Sequence, residues 1–485
     1  MTLAQLLLRV DHRILTGSVD RPVQTLTQDS RKAGPGAVFV ALRGLRVDGH
    51  DYVPKLAPGT VAAIVSEPCQ APPGTTLIQV ADTHLALAEM AAALQGHPSE
   101  AVSVIGVTGT NGKTTVTWML ESIAQAAGVR IGVIGTTGNR IAGTPAPAAY
   151  TTPLAPEWQA LLARMRDAGC RWVAAEVSSI GLAYKRVDAT RFAVGVYTNL
   201  SQDHLDVHGD MATYAQAKER LFTELLAEEG TAVLCASDPT ARAVDSRGRS
   251  WRYGIEQGDL SASEVTLSPT GTRAKVQTPA GAFDLELPLV GRFNLENALA
   301  ATGAAIALGA TPEQCARGLA ALPRVPGRLE PVPNERGISV LVDYAHTPDA
   351  LDTTLAALRE LGARRVLCVV GCGGDRDRAK RPLMARAAAQ GSDLVLATSD
   401  NPRSEDPMDI LAQMKPGLRD SDLVIVDRAE AIARAVQLAQ PGDLVLIAGK
   451  GHETTQEIQG VKHPFDDRLI AAKALSMGAG TEGAP

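Results

Sequence analysis

Lysine is scarce in this chain, with 11 lysines against 36 arginines. A lysine inside a patterned segment is therefore more informative than usual. Positive charge is not in surplus either. The 47 Lys and Arg residues face 53 Asp and Glu, and the formal charge of −6 offers no basic field for nucleic acid or an anionic membrane. The six cysteines (Cys69, Cys170, Cys235, Cys315, Cys368 and Cys372) are scattered. Only the last two lie close together, and they lack the second pair that a zinc site needs. That leaves buried free thiols and a reducing, cytoplasmic setting. No apolar run reaches the ~18–20 residues of a membrane span. The segment Met1 to Arg13, despite Leu6-Leu7-Leu8, lacks the basic start and small-residue cleavage site of a secretory leader. No internal repeat appears, and low complexity is confined to the tail from Gly478. A fibrous protein, a coiled coil and a polybasic binder are thereby excluded.

What remains is an ordinary globular balance, 45% hydrophobic and 21% charged, over 485 residues. That length favours about three domains. Residues 1–97 carry short apolar runs, such as Ala37 to Leu42 and Val61 to Val65, between Gly/Pro turns, and predict a small α/β domain. Residues 98–325 alternate apolar runs (Val102 to Val107, Val129 to Ile134, Trp172 to Val177, Phe192 to Tyr197) with helical patterns, which predicts a mostly parallel sheet covered by helices. Residues 326–485 repeat that rhythm in five strands, Ser339 to Asp343, Val366 to Val370, Leu394 to Thr398, Leu423 to Val426 and Leu444 to Ala448, and predict a Rossmann-like α/β domain. Ligands of open α/β sheets sit at the carboxyl ends of strands. The turns after Asp343, Val370, Thr398 and Ala448 are thus candidate sites.

The strand ending at Val107 runs into Thr108-Gly109-Thr110-Asn111-Gly112-Lys113-Thr114-Thr115 and then a helical pattern from Val116 to Ala127. This is the strand–loop–helix setting of a P-loop, although Val107 stands where the strict pattern has its first glycine. Backbone amides at a helix N-terminus cradle phosphates, Lys113 neutralises charge and Thr114 can hold Mg²⁺. ATP is the expected nucleotide. Glu176, ending the next buried run, is placed to complete a magnesium shell, and His204 sits among carboxylates in Asn199 to Gly209.

Together with Tyr214 to Lys218, Gly291 to Asn297, Pro326 to Glu330 and Asp343 to Pro348, these segments resemble the ATP-dependent Mur ligases of peptidoglycan synthesis. The likeness runs from Asp29 to Arg468. Asp400-Asn401-Pro402-Arg403 is similar to the turn of those members that add meso-diaminopimelate; lysine-adding members lack that arginine. The resemblance implies an ADP-forming amide ligase whose substrates are UDP-N-acetylmuramoyl-L-alanyl-D-glutamate and meso-diaminopimelate. It implies one Mg²⁺ at Thr114 and Glu176, and a second near His204 and Lys218, with Lys218 carbamylated. It assigns Arg328 to the γ-phosphate, Asn297 to adenine, Asp343 to the ribose region and His346 to the incoming amine. Ser30 and Arg31 would meet the uridine diphosphate, and Thr151, Thr152, Ser179 and Arg186 the muramoyl peptide.

The far end of diaminopimelate carries a carboxylate and an ammonium group, so Arg403 and Arg376 can clamp the one while Glu453, beside Gly449, meets the other. A monomer closing over its ligands, with no nucleic acid or membrane partner, is the expectation. The chain departs from those ligases at Ile180, where they carry histidine, at Tyr184, where they carry glutamine, and at Leu45 and Arg46. Two readings compete with this one. One is a sister ligase adding L-lysine or another diamino acid, and the other a P-loop hydrolase or switch.

Overall fold

The strands are shared among three separate sheets and one small hairpin. The computed structural model describes residues 1–44, 47–268 and 270–477, so Leu45, Arg46 and the tail from Gly478 lie outside the described residues.

In the first sheet the strand order is His12–Thr16, Thr76–Val80, Ala62–Val65, Ala37–Val40, Thr25–Thr27, parallel except for the first pair. Ala37–Val40 and Ala62–Val65 are buried at every residue, as strands covered on both faces must be. The helix Thr83–Leu94 covers one face. It starts where Asp82 accepts the amides of His84 and Leu85, satisfying two donors that a helix start leaves open.

The second sheet has eleven strands. Its middle is parallel and contains Ser103–Thr108 between Phe192–Tyr197 and Trp172–Glu176. Both edges turn antiparallel, through Asn139–Ile141 and Thr144–Ala146 at one side and Gly271–Thr278 and Gly281–Leu287 at the other. Gly271–Thr278 alternates buried and open residues along its length. That period of two marks a strand with one wet face. The helices Lys113–Ala126 and Arg292–Ala307 pack on the sheet, and side chains such as Val116, Leu120, Leu295 and Leu299 are fully buried. Each such side chain contributes about 1.5–3 kcal/mol.

The third sheet contains the five expected parallel strands, observed as Ser339–Asp343, Arg365–Val370, Leu394–Ala397, Leu423–Val424 and Asp443–Ala448. A short antiparallel edge, Glu330–Pro331, precedes them. Helices cover both faces. Val366, Cys368 and Val370 point into one core with Leu355 and Met384, while Leu367 and Val369 point into the other with Ile432 and Leu475. The alternation follows from the pleat. The six cysteines are free, and all but Cys69 are buried. Among the described residues no helix is long and apolar enough to cross a membrane.

One buried ion pair ties this last domain together. Arg428 donates to Asp467 through Nε (2.8 Å) and Nη2 (2.7 Å) and to the Ala448 carbonyl (2.9 Å), and neither side chain of the pair is exposed. Removing one partner strands a buried charge, so Asp467→Ala is expected to destabilise the domain by about 3–5 kcal/mol. The paired change Arg428→Met with Asp467→Leu is expected to cost less. No tryptophan lies beyond Trp251, so far-ultraviolet circular dichroism in urea is the measurement. An unshifted midpoint in Asp467→Ala would remove the pair from the stability argument.

Candidate active site

The phosphate loop is built by its neighbours as much as by its own sequence. Gly109 (φ +143°) and Gly112 (φ +90°) have backbone angles that L side chains rarely adopt. A Cβ would come within 1.8 Å of Thr198 Oγ1 at the first and 2.4 Å of Asn297 Oδ1 at the second. Residues following Phe192–Tyr197 hold the loop open: Asn199 Oδ1 accepts the Asn111 amide at 2.9 Å, and Thr198 Oγ1 donates to the Asn111 carbonyl at 2.5 Å. Lys113 Nζ caps the Gly109 and Thr110 carbonyls at 2.8 and 2.9 Å. Burial lowers its pKa, and the Arg328 charge adds to that. An anion in the loop would relieve both. Thr115 lines the same cavity of about 270 Å³, with Asn297, Asp343 and His346.

Thr114 is the junction of the site. Its hydroxyl donates to Glu176 Oε2 at 3.1 Å, and Arg328 Nη2, arriving from the third domain, lies 3.2 Å from the same oxygen. Glu176 also accepts the Thr136 amide (3.0 Å) and hydroxyl (2.9 Å). Arg328 is stacked 4.8 Å over the Tyr344 ring. A hydroxyl and a carboxylate oxygen side by side are hard donors of the type Mg²⁺ takes. Among the described residues no group of three or more His, Cys, Asp or Glu side chains could hold a metal ion. Any ion here therefore needs phosphate oxygens or further groups to complete its shell.

Asp203 lies between two imidazoles, 3.4 Å from His204 Nε2 and 3.8 Å from His346 Nε2. Burial alone would raise its carboxyl. The nearby His346 and His204 imidazoles and the Lys380 ammonium outweigh that and hold it well below the usual carboxylate range. His204 is in the left-handed region (φ +54°), and two-fifths of its side chain is open to the cavity. Burial of the rest, with Lys113 and Lys218 acting against the pull of Asp203, brings its pKa down to about 4, so the ring is neutral at pH 7. His346 donates through Nδ1 to the Tyr344 carbonyl (2.8 Å), which leaves Nε2 as the acceptor.

Lys218, on the helix Met211–Arg220, is 1% exposed. Its Nζ donates to the Gly109 carbonyl at 2.9 Å and lies 4.5 Å over Tyr214, whose hydroxyl meets Thr110 Oγ1 at 3.1 Å. Burial, with Lys113 adding to it, pushes Lys218 well below an ordinary lysine. No carboxylate pairs with it among the described residues, which is an unusual position for an ammonium group.

A larger cavity of about 800 Å³ opens between the first and second domains, lined by Ser30, Arg31, His84, Ile180, Tyr184 and Arg186. The His84 and Tyr184 rings meet at 5.6 Å across the boundary, and Lys185 pairs with Asp82 at 3.0 Å. Arg186 donates to the Thr152 carbonyl and lies over Tyr150. Thr151 meets Thr136 at 3.0 Å, hydroxyl to hydroxyl. Thr152 and Ser179 are both 1% exposed, and their hydroxyls are engaged internally, by Glu176 and Ser178 backbone groups and by His208 respectively. They shape the segment without offering a free hydroxyl.

Asp343 is engaged likewise: its two oxygens accept the Leu329 and Ala345 amides at 2.7 and 2.8 Å, and burial raises its carboxyl.

The turns of the third domain come together apart from the nucleotide cavity. Lys450, with its side chain fully buried, donates to Asn401 Oδ1 (3.0 Å) and Glu453 Oε2 (3.1 Å), and Asn401 Nδ2 donates to the same Glu453 oxygen (2.8 Å). Arg403 (φ +52°) donates to the Gly374 carbonyl at 2.6 Å and faces Glu457 at 3.8 Å. Arg376 is exposed, and it flanks Gly373 opposite Arg403. Gly449 and Gly374 let Asp400 and Pro402 approach, since a Cβ would meet them at 2.6 and 1.9 Å.

Sequence reasoning missed Thr136, which carried no signal because its role comes from packing. Tyr214, Tyr344 and Lys450 lay in segments the sequence singled out, and the packing shows what their side chains meet.

The chain matches the family models for the Mur ligase family catalytic domain over residues 22–95, the Mur ligase middle domain over 107–305 and the Mur ligase glutamate ligase domain over 327–451. It is 43% identical to the UDP-N-acetylmuramoyl-L-alanyl-D-glutamate–2,6-diaminopimelate ligase of Geobacter metallireducens, covering 95% of each chain. A solved structure of a ligase with that same name is 33% identical, with a TM-score of 0.69 over 99% of this chain and 100% of that one. The MurF ligase of Thermotoga maritima in complex with ADP shares the fold, at 19% identity and a TM-score of 0.62 over 94% of this chain and 96% of that one. Three consecutive family matches and a near full-length likeness leave one assignment: the chain belongs to the Mur ligase family of amide-forming ligases.

Proposed function

We propose that this ligase joins meso-diaminopimelate to the D-glutamate γ-carboxylate of UDP-N-acetylmuramoyl-L-alanyl-D-glutamate, consuming ATP and releasing ADP and phosphate. The observation that carries the reading is the meeting of Arg328 with Thr114. It joins the amino-acid domain to the phosphate loop at the point where a γ-phosphoryl group would lie. The names of relatives at 43% and 33% identity support the substrates, and the Asn401–Arg403 turn supports diaminopimelate over lysine. We divide the chain at 1–97, 98–325 and 326–485 into acceptor, nucleotide and amino-acid domains, and we assign it to the cytoplasm, which six unpaired thiols suit.

A carboxylate is a poor electrophile. Its oxygen attacks the γ-phosphorus of ATP, ADP leaves, and an acyl phosphate forms. The amine nitrogen then attacks the carbonyl carbon, and the tetrahedral intermediate collapses by breaking the bond to phosphate. Lys113 and Arg328 offset the charge gathered by both steps. The free Nε2 of His346 accepts the amine proton, with Asp203 holding the ring charge. Ser30, Arg31 and Arg186 hold the nucleotide-sugar substrate in the large cavity, Asn297 meets adenine, and Asp343 keeps its backbone in place beside the ribose.

Thr114 and Glu176 fit Mg²⁺, which when bound would neutralise phosphate oxygens. Lys218 as an amine does not fit a cation. Burial pushes its pKa down and so favours the neutral amine, the form that can add to carbon dioxide and lose a proton; the resulting carbamate, with His204, would fit a second ion. Lys218→Ala is therefore expected to lose about 10²–10³ in turnover, with partial rescue by acetate or formate. Full turnover in that variant would sink the assignment.

The reading as a whole is tested by ADP release with each candidate amino acid, with and without the UDP-muramoyl dipeptide. Release that needs both meso-diaminopimelate and the dipeptide supports it. Preference for L-lysine would favour the sister ligase, and release indifferent to amino acid a hydrolase. Arg403→Lys is expected to raise the KM for meso-diaminopimelate about 10–100-fold, the worth of a charged hydrogen-bond pair, with the KM for ATP unchanged. Equal shifts in both would show that Arg403 acts on the fold rather than on the amino acid.

A further inference from the structure

The nucleotide cavity has two ends. At one, Thr114, Glu176 and Arg328 meet, and phosphate chemistry belongs there. The other is formed by Tyr253, Phe293 and Glu296, facing Ala350 and Thr353 of the third domain. With the triphosphate running from Gly109–Thr115 toward Arg328, the base must occupy this second end.

A carboxylate here is unexpected, because purines carry no positive charge. Glu296 is only partly exposed, and its Oε1 is fixed by the Ser237 hydroxyl at 2.9 Å. Its Oε2 makes no hydrogen bond among the described residues and is not sealed from the cavity. The neighbouring Asn297 gives one amide hydrogen to Asn294 Oδ1 at 3.3 Å and lies with its own Oδ1 against Gly112. Glu296 Oε2 is therefore the carboxylate acceptor this end of the cavity offers.

We infer that Glu296 selects the base: its free carboxylate oxygen accepts a hydrogen bond from the exocyclic 6-amino group of adenine and rejects the 6-oxo group of guanine. An ionised carboxylate can only accept. Opposite an amine it gains a hydrogen bond, and opposite a carbonyl two acceptors face each other in a partly dry site. Discrimination of this type is strong because the mismatched partner leaves a polar group unpaired. Ser237 is a positioning residue, holding Oε1 so that Oε2 stays turned to the base. The inference rests on the ATP reading above and on nothing about the amino acid.

The test is direct binding of ADP, GDP and inorganic tripolyphosphate to the full chain by calorimetry, for the native protein and for Glu296→Gln and Glu296→Ala. The native protein is expected to prefer ADP. In both variants the ADP-to-GDP affinity ratio is expected to fall at least about tenfold, the loss of one such contact, while tripolyphosphate affinity stays the same. The glutamine amide can turn its N–H toward a 6-oxo group, so Glu296→Gln should gain affinity for GDP as well as lose it for ADP. An unchanged ratio in both variants would overturn the inference. A native protein that binds tripolyphosphate but shows no preference for ADP would overturn it too. Failure of the native protein to bind ADP at all would instead overturn the ATP reading beneath it.

Discussion

Like charges must be gathered in one small volume for this chemistry to occur, and the site is organised around that constraint. In the proposed reaction a triphosphate and a substrate carboxylate would meet Glu176 near the hydroxyl of Thr114. The hydroxyl is neutral and can donate to Glu176 while its oxygen faces Arg328. Around this point the cations are drawn from separate parts of the chain, Lys113 from the loop itself and Arg328 from another domain, while Lys218 lies buried behind the loop. Burial depresses the pKa of both lysines. In each the main cost is burial of the charge, with repulsion among the neighbouring cations added to it. An anionic ligand removes that repulsion, so the site is electrostatically incomplete until substrate arrives.

Much of this was legible in the sequence, and for physical reasons. The third sheet was read strand by strand because each parallel strand is a short apolar run closed by a polar turn. The phosphate loop was read because a glycine-rich turn ending in lysine, set between an apolar strand and a helical run, has few other uses. The antiparallel edges of the central sheet were not read. Gly271–Thr278 alternates in the way a half-wet strand must, but its period of two is visible only if no parallel strand is expected there. Site residues divided the same way. Glu176, His204 and Arg403 were singled out from motif context, because each brings a charged or ligating group in its own side chain. Thr136, whose task is to hold Glu176, was invisible because its partner is 40 residues away in sequence. Thr152 and Asp343 were read as ligand contacts, yet their polar atoms are engaged by backbone groups, a use that sequence does not distinguish from ligand binding.

The scarcity of lysine gains a physical meaning beside this. Arginine is always charged and suits bidentate ion pairs, as at Arg428 and Arg381. A lysine can be shifted or neutralised by burial. Lys218 and Lys450 are both buried, but they have opposite surroundings. Lys450 has Glu453 and Asn401 as acceptors and fixes a carboxylate. Lys218 has only a carbonyl and an aromatic face. A cation with no counter-charge is poorly kept in such a place, whereas a neutral amine, or the anion made from it, is well suited there.

The position of Arg328 depends on the same turns that hold the amino-acid site. Gly327, φ +64°, lies so close to the Gly451–His452 segment that a Cβ would come within 2.2 Å of the His452 nitrogen, and its carbonyl accepts the Tyr344 amide at 2.9 Å. Tyr344 in turn supports the Arg328 guanidinium on one side and meets the His452 ring at 5.1 Å. Lys450 and Glu453 belong to that same turn. Arg328, which faces the phosphate loop, and Glu453 are thus carried on packed neighbouring turns of the third domain. Any movement of that domain brings both to the central sheet together. In the proposed reaction this coupling would bring the positive charge of Arg328 to the phosphate together with the amino-acid site, so that an acyl phosphate would form where its nucleophile is already held.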